Sequence, residues 1–311
     1  MELTTLNVVL KWAEQSFKAA KLYYGHGTNN AWDEAVALAL YVLKLPPDVD
    51  ACVGERVLTA HEKEIYLKLV NQRITTRTPV PYLTHEAWFA HQKFYVDERV
   101  IIPRSPMAEL ILNGFQPWLG KHMVHRVLDL CTGSACIAIA CAKVFENAIV
   151  DAIDISEDAL DVARKNCVLQ NCESRVNLIH ADLFSGCAGK RYDIIISNPP
   201  YVDSAEMRNL PPEYHWEPRL ALAAGSDGLA IVKQILREAP RYLTEKGLLF
   251  VEVGNTEEAL KNQYPDFLGT WLEFENGGQG VFLLYAEDKS CWQGFNHLWV
   301  WFFNMDDVSY D

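Results

Sequence analysis

Disulfide and zinc chemistry are the first things missing. Eight cysteines are spread over 311 residues with no C-x-x-C pair, and Cys131, Cys136 and Cys141 fall in apolar stretches where a thiol packs as a small hydrophobe. That usage argues against a disulfide framework, and no metal ligands are expected. No apolar run approaches membrane-spanning length. Met1 to Gln15 carries Glu2 and Glu14 and no cleavable apolar core, so the expectation is a cytoplasmic protein. Positive charge is also scarce, with 28 Lys+Arg against 41 Asp+Glu and a net charge of −13. The deficit is uneven: Met1 to Tyr95 has 10 of each sign, leaving 18 against 31 for the rest. An acidic second part lacks the footprint of a duplex nucleic-acid binder and suits a basic partner. No internal repeat or low-complexity block is present.

What is there begins with helical periodicity. Apolar residues recur at helical spacing from about Thr5 to Leu22 and again from Ala31 to Leu43, and Thr59-Ala60-His61-Glu62 is a capping-box pattern that opens a third helix. Between the first two, Tyr24 to Asn30 reads as a connector. Pro79 and Pro81 end the pattern. Ala87 to Ala90 and Phe94 to Val96 read as a hairpin, and Ser105-Pro106 as the start of a helix to about Leu119. Strands and helices then alternate: strand 126–130, helix 136–145, strand 149–153, helix 156–171, strands 175–179 and 192–197, helix 228–242, strand 248–253, and a short helix capped by Thr256. Strands near 271–274 and 281–285, joined through Glu275 to Gly278, close the pattern as an edge hairpin. Such alternation marks a doubly wound α/β sheet. The implied domains are 1–78, helical; 79–104, linker and hairpin; 105–286, the sheet domain; and 287–311. That last stretch carries Trp292, Phe295, Trp299, Trp301, Phe302 and Phe303 beyond a complete sheet.

The chain is organised around Asn198-Pro199-Pro200-Tyr201, which follows the apolar run Tyr192 to Ser197. Ligands in parallel sheets bind just past such strand ends. Two prolines hold the backbone extended, so the Asn198 amide oxygen and the Pro199 carbonyl form a two-acceptor clamp for an –NH₂ group. Tyr201 offers a flat wall for a planar group. A plain strand-ending turn is the alternative. The first strand of the sheet domain ends in Asp129-Leu130-Cys131-Thr132-Gly133-Ser134-Ala135, small residues that let a ligand approach backbone N–H groups at a helix start. Asp154, 21 residues past Gly133, ends the next strand, where an acid accepts from both ribose hydroxyls of a nucleotide. Asp182 follows the third strand and suits an exocyclic amine. Each acid alone also reads as a cap or turn residue.

Taken together, the Asp-x-x-x-Gly-Ser loop, Asp154, Ala181-Asp182-Leu183-Phe184 and Asn-Pro-Pro-Tyr resemble the S-adenosylmethionine-dependent protein-glutamine methyltransferases of the HemK type, from about Leu6 to Ala286. Tyr24 to Ala35, Pro103 to Pro106, Asp129 to Gly133 and Leu210 to Tyr214 are similar to the branch acting on ribosomal protein L3. The release-factor branch has Arg-Pro-Glu-Thr-Glu at Arg104 to Ala108 and glycine at Cys131. The resemblance implies a seven-stranded Rossmann-like class I sheet and an N-terminal helical domain that recognises substrate. It further implies that Gly133, Asp154, Asp182 and Leu183 line the cofactor pocket and that Asn198 to Tyr201 hold the glutamine. Asp129, Cys131, Thr132, Ser134 and Asn198 join the candidate cofactor residues. The family usually has glycine at Ala135, and the expectation is that Ala135 is helical, where alanine is favourable, and unstrained; a left-handed alanine there would count toward a noncatalytic module. The other readings are a release-factor methyltransferase, an amino-group DNA or RNA methyltransferase, and a noncatalytic ribosome-docking module.

Overall fold

The computed structural model describes residues 5–292. The aromatic positions Phe295 to Phe303 lie outside the described residues. Two compact units are present.

The first unit comprises Met1–Trp88, Lys93–Arg104 and Leu210–Pro218. It contains α1 (Leu6–Ala19), α2 (Ala31–Leu43), α3 (Ala60–Thr76) and the short α4 (Val80–Thr84). The capping box at α3 is complete: the Thr59 hydroxyl accepts from the Glu62 N–H at 3.2 Å, and the Glu62 carboxylate accepts from the Thr59 N–H at 2.9 Å. Leu6, Leu10, Phe17, Leu38, Tyr66 and Val70 build its core, with apolar burial of this size contributing roughly 25 cal/mol per Å². Leu210–Pro218, which the sequence reading placed within 105–286, belongs here by its contacts.

β1 (Glu86–Phe89) and β2 (Gln92–Tyr95) form a two-stranded sheet. In the second unit follow α5 (Met107–Leu112), β3 (Arg126–Leu130), α6 (Cys136–Val144), β4 (Ile149–Asp154), α7 (Glu157–Leu169), β5 (Val176–His180), β6 (Tyr192–Ser197), α8 (Ala230–Glu238), β7 (Leu243–Glu252), α9 (Glu257–Gln263), β8 (Thr270–Trp271) and β9 (Val281–Tyr285). The seven-stranded sheet runs β5-β4-β3-β6-β7-β9-β8; the first five are parallel and β9 pairs antiparallel with both neighbours. Every residue of β6 is buried, as a strand with the apolar centre Ile194 to Ile196 covered on both faces requires. Trp292 packs into the same core, its indole N–H donating to the Tyr285 carbonyl at 2.9 Å.

Three local expectations fail. The helix from Ser105 stops at Leu112, because Gly114 and Phe115 turn left-handed (φ 62° and 59°) and Phe115 is buried. The 228–242 helix ends at Glu238, before Pro240, which has no N–H to continue it. Thr256 caps nothing; its hydroxyl donates back to the Val253 carbonyl at 2.7 Å.

Candidate active site

The chain passes from β3 to β4 to β5 on one side, then crosses to β6 on the other side of β3. This is a topological switch point, and the carboxyl ends of β3 and β6 flank the crevice it opens. Leu130 pairs with Ser197, Leu130 with Ile153, and Asp154 with His180. The residues just beyond these positions, from Cys131, Asp154, Asp182 and Asn198, therefore share one edge of four adjacent strands, whose spacing is about 4.8 Å. Every candidate site residue lies in this unit.

Asp129 is completely buried. Its Oδ2 accepts from the Thr132 hydroxyl at 2.5 Å and the Ala138 N–H at 3.1 Å, while Oδ1 has no partner among the described residues. Burial, aided by the negative charge of Asp154, pushes its carboxyl up to about 7 against the opposing hydrogen bonds. Asp154 accepts from the N–H groups of Gly133 at 2.8 Å and Ser156 at 2.9 Å. Burial outweighs those bonds and raises its carboxyl as well. Thr132 is anchored by its N–H on the Ile153 carbonyl at 2.9 Å, and the Ser134 carbonyl accepts from the buried Asn166 amide at 3.0 Å. Asp182 is exposed. Thus two of the N–H groups at the start of α6, which the sequence suggested for an anion, already serve carboxylates of the chain.

The expectation of an unstrained Ala135 is wrong. Ala135 is left-handed, φ 62° and ψ 21°, immediately before α6. Cys131 (φ 59°) and Leu183 (φ 44°) share that region. Lys44, Arg77 and His85 are left-handed too, but they terminate helices, a common use of this conformation. Ala90, His91 and Phe115 adopt it in turns away from the candidate residues; at Cys131, Ala135 and Leu183 it costs about 1 to 2 kcal/mol each, and such strain gathers at ligand sites. Burial, with Asp154 and Asp129 adding, also raises the Cys131 thiol, so it stays protonated and is no nucleophile.

Asn198 is half-buried at the mouth of β6, and its side-chain amide has no hydrogen-bond partner among the described residues. Pro199 is buried, Pro200 and Tyr201 half-buried. The Tyr201 hydroxyl donates to Glu252 at 3.2 Å. Sequence reasoning missed Glu252, although a carboxylate ending the apolar run of β7 was a visible signal. Tyr24 to Asn30, read as a connector, does join α1 to α2, and within it His26 is buried against the Tyr214 ring (centroids 4.5 Å apart) and 3.7 Å from Glu217. Burial holds that imidazole down at about 4. A separate cavity of about 350 Å³, lined by residues including Glu109, Trp118, Trp271 and Phe274, contains none of the candidate residues.

Comparison with known proteins places this geometry. Residues 108–210 match the family model described as methyltransferase small domain. The ribosomal protein uL3 glutamine methyltransferase of Francisella tularensis subsp. tularensis is 49% identical over 288 residues, covering 92% of this chain and 91% of the relative. That of Neisseria gonorrhoeae is 48% identical over 287 residues, covering 92% and 96%. The chain belongs to the uL3 glutamine methyltransferase family. The residues matched by the methyltransferase model include β3 to β6 of the seven-stranded sheet. Among the described residues, no helix is long and apolar enough to cross a membrane, and no group of three or more His, Cys, Asp or Glu could hold a metal ion.

Proposed function

We propose that this chain transfers a methyl group from S-adenosylmethionine to the side-chain amide nitrogen of a glutamine in ribosomal protein uL3, in the cytoplasm. The observation that carries the reading is the unpartnered Asn198 amide beside the strained β3 loop at the switch point. The donor set fits this cofactor: Asp129, Asp154 and Asp182 have no lysine or arginine partner among the described residues, and Asp129 Oδ1 is an orphaned buried acceptor. Acceptors without counter-cations suit a ligand that is cationic and rich in N–H and O–H donors. When bound, that cofactor supplies a methyl group on a sulfonium, an electrophile needing no activation. Asp154 would accept from the ribose hydroxyls, Asp182 from the adenine amine, and the loop from Asp129 to Ser134 would cradle the remainder with Leu183 against the base.

An amide nitrogen is a weak nucleophile because its lone pair is delocalised. Asn198 Oδ1 and the Pro199 carbonyl would accept both N–H hydrogens of the substrate amide, fixing its direction of approach and stabilising positive charge as it develops on nitrogen. Pro200 and Tyr201 would exclude water around it. The −13 charge would attract a basic ribosomal protein over the Debye length of about 8 Å at physiological salt. The clamp needs an inserted side chain, so free uL3 should react faster than assembled large subunits.

The left-handed Ala135 is the one observation favouring a noncatalytic binding module. Its strain leaves the clamp and the carboxylates in place, and the relatives at nearly half identity are enzymes. Incubation with methyl-labelled cofactor and undermodified ribosomal proteins, with mapping of the labelled residue, tests the proposal. Label on a uL3 glutamine is expected. Label on release factor, on nucleic acid, or nowhere in a single-turnover assay would each replace it.

A further inference from the structure

Tyr201 is held from three directions by groups that do not belong to the Asn-Pro-Pro-Tyr stretch. Glu252 ends β7, and its neighbour Val251 pairs with Ser197, which puts Glu252 at the level of Asn198 on the adjacent strand. Its side chain is buried, with one carboxylate oxygen accepting from the Tyr201 hydroxyl at 3.2 Å and the other from the Ser105 hydroxyl at 2.5 Å. On another side Gly254 (φ +48°) meets the ring so closely that an added Cβ would fall 2.6 Å from Cε2 and 2.7 Å from Cζ. Beneath the backbone, a Cβ on Gly228 (φ +72°) would fall 2.4 Å from the Tyr201 carbonyl oxygen. Only glycine meets both demands at these two positions, left-handed backbone and no side chain.

Burying a carboxylate costs several kcal/mol unless its environment answers it. Here two hydroxyls from chain positions 147 and 51 residues away converge on it. We infer that Glu252 is a positioning residue: braced by Ser105, it fixes the Tyr201 ring and thereby the width of the slot that orients the substrate amide. This rests on the glutamine reading above. Glu252 touches neither substrate nor cofactor in this role; it acts through Tyr201. A ring free to rotate would admit the amide in unproductive poses, and misplacement of a reacting group by about 1 Å can cost a hundredfold in rate.

The experiment is a double-mutant cycle on the full-length enzyme with free uL3, measuring kcat, KM for uL3, calorimetric affinity for S-adenosylmethionine and thermal midpoint. Glu252→Ala is expected to lower kcat at least about tenfold with cofactor affinity unchanged, and Tyr201→Phe to lower it by a similar factor. The two together should cost hardly more than either, because both losses pass through one ring. Glu252→Gln, which keeps an acceptor for the tyrosine, should recover most of the rate, and Ser105→Ala should have a smaller effect of the same kind. Additive losses in the double variant, or Glu252→Ala with unaltered kcat, would overturn the inference. A fall in thermal midpoint with kcat intact in the folded fraction would overturn it equally, leaving Glu252 a structural residue. If Glu252→Ala does not fold, the cycle is run with Ser105→Ala and Tyr201→Phe: a combined loss no larger than that of Tyr201→Phe alone supports the inference, and additive losses overturn it. If wild type labels no glutamine at all, the underlying reading fails instead, which the wild-type control separates from these outcomes.

Discussion

Buried carboxylates are handled in opposite ways in the helical unit and at the carboxyl edge of the sheet, although deeper in the sheet Asp151 pairs with Lys190 at 2.8 Å. In the helical unit, Glu34 pairs with Arg73 at 2.8 Å, Glu213 with Arg77 at 3.0 Å and Arg73 at 3.4 Å, and Glu217 with Arg104 at 2.8 Å. At the sheet edge, Asp129 and Asp154 are held by backbone N–H groups and a hydroxyl. The electrostatic outcome differs among the paired carboxylates: Glu34 stays above its ordinary value because burial outweighs its bond to Arg73. Burial alone would raise Glu213, but the Tyr23 N–H and two arginines leave it below its ordinary value. Asp129 and Asp154 end above theirs, since N–H dipoles do not offset the loss of water. A carboxylate neutralised by arginine is finished structurally. Asp129 and Asp154, which lack a lysine or arginine partner among the described residues, retain capacity for a cationic ligand, and the proposed cofactor would use it.

The largest effect should come from breaking the arginine side of this contrast. Arg73 is fully buried between two glutamates, so Arg73→Met should destabilise the helical unit by about 3 to 5 kcal/mol, because it strands uncompensated charge. Urea unfolding measures this; a loss below about 1 kcal/mol would make the pairs dispensable.

Chemistry should break next. Asn198→Ala should lower turnover at least about tenfold while cofactor affinity changes much less, as expected when a hydrogen bond acts on charge that develops only in the transition state. Near-wild-type turnover would remove Asn198 from the mechanism.

A pH series sharpens the comparison. A carboxyl raised to about 7 holds a proton in the free protein below that pH, and a cationic ligand favours its ionised form. Affinity for S-adenosylmethionine should therefore rise as pH increases through about 7, and Asp129→Asn should flatten the dependence. The same raised value means that folding stability from this group falls between the ordinary aspartate value and about 7, because the folded state binds the extra proton. A wild-type affinity independent of pH between 6 and 8 would exclude Asp129 from the cofactor's surroundings.

The smallest effect concerns strain. Ala135→Gly should raise stability by about 1 kcal/mol, the left-handed cost less the extra freedom of glycine in the unfolded chain. Thermal unfolding checks it, and a lowered midpoint would show that Ala135 is not strained.

Strands β3 and β6 were legible to the residue because short apolar runs bounded by charge, glycine or proline allow little else, and α3 because its capping box names its own first turn. Asn198, Asp154 and Asp182 were legible as residues at or just past strand ends. What escaped were features set by tertiary contact. Helix α5 ends early because Phe115 turns into the core. Leu210–Pro218 joins the helical unit through Glu213 and Glu217, whose arginines are more than a hundred residues away in the chain. Ala135 misled because alanine signals helix, while its backbone is dictated by the turn between Thr132 and α6, where the Ala135 N–H donates to the Thr132 carbonyl at 2.9 Å.

The contrast between the two kinds of carboxylate stands or falls on Asp154. Calorimetric titration of wild type and Asp154→Asn with S-adenosylmethionine should show affinity reduced at least about tenfold in the variant, the scale of losing hydrogen bonds to a charged acceptor. Equal affinities would contradict the assignment of the cation-free carboxylates to the cofactor.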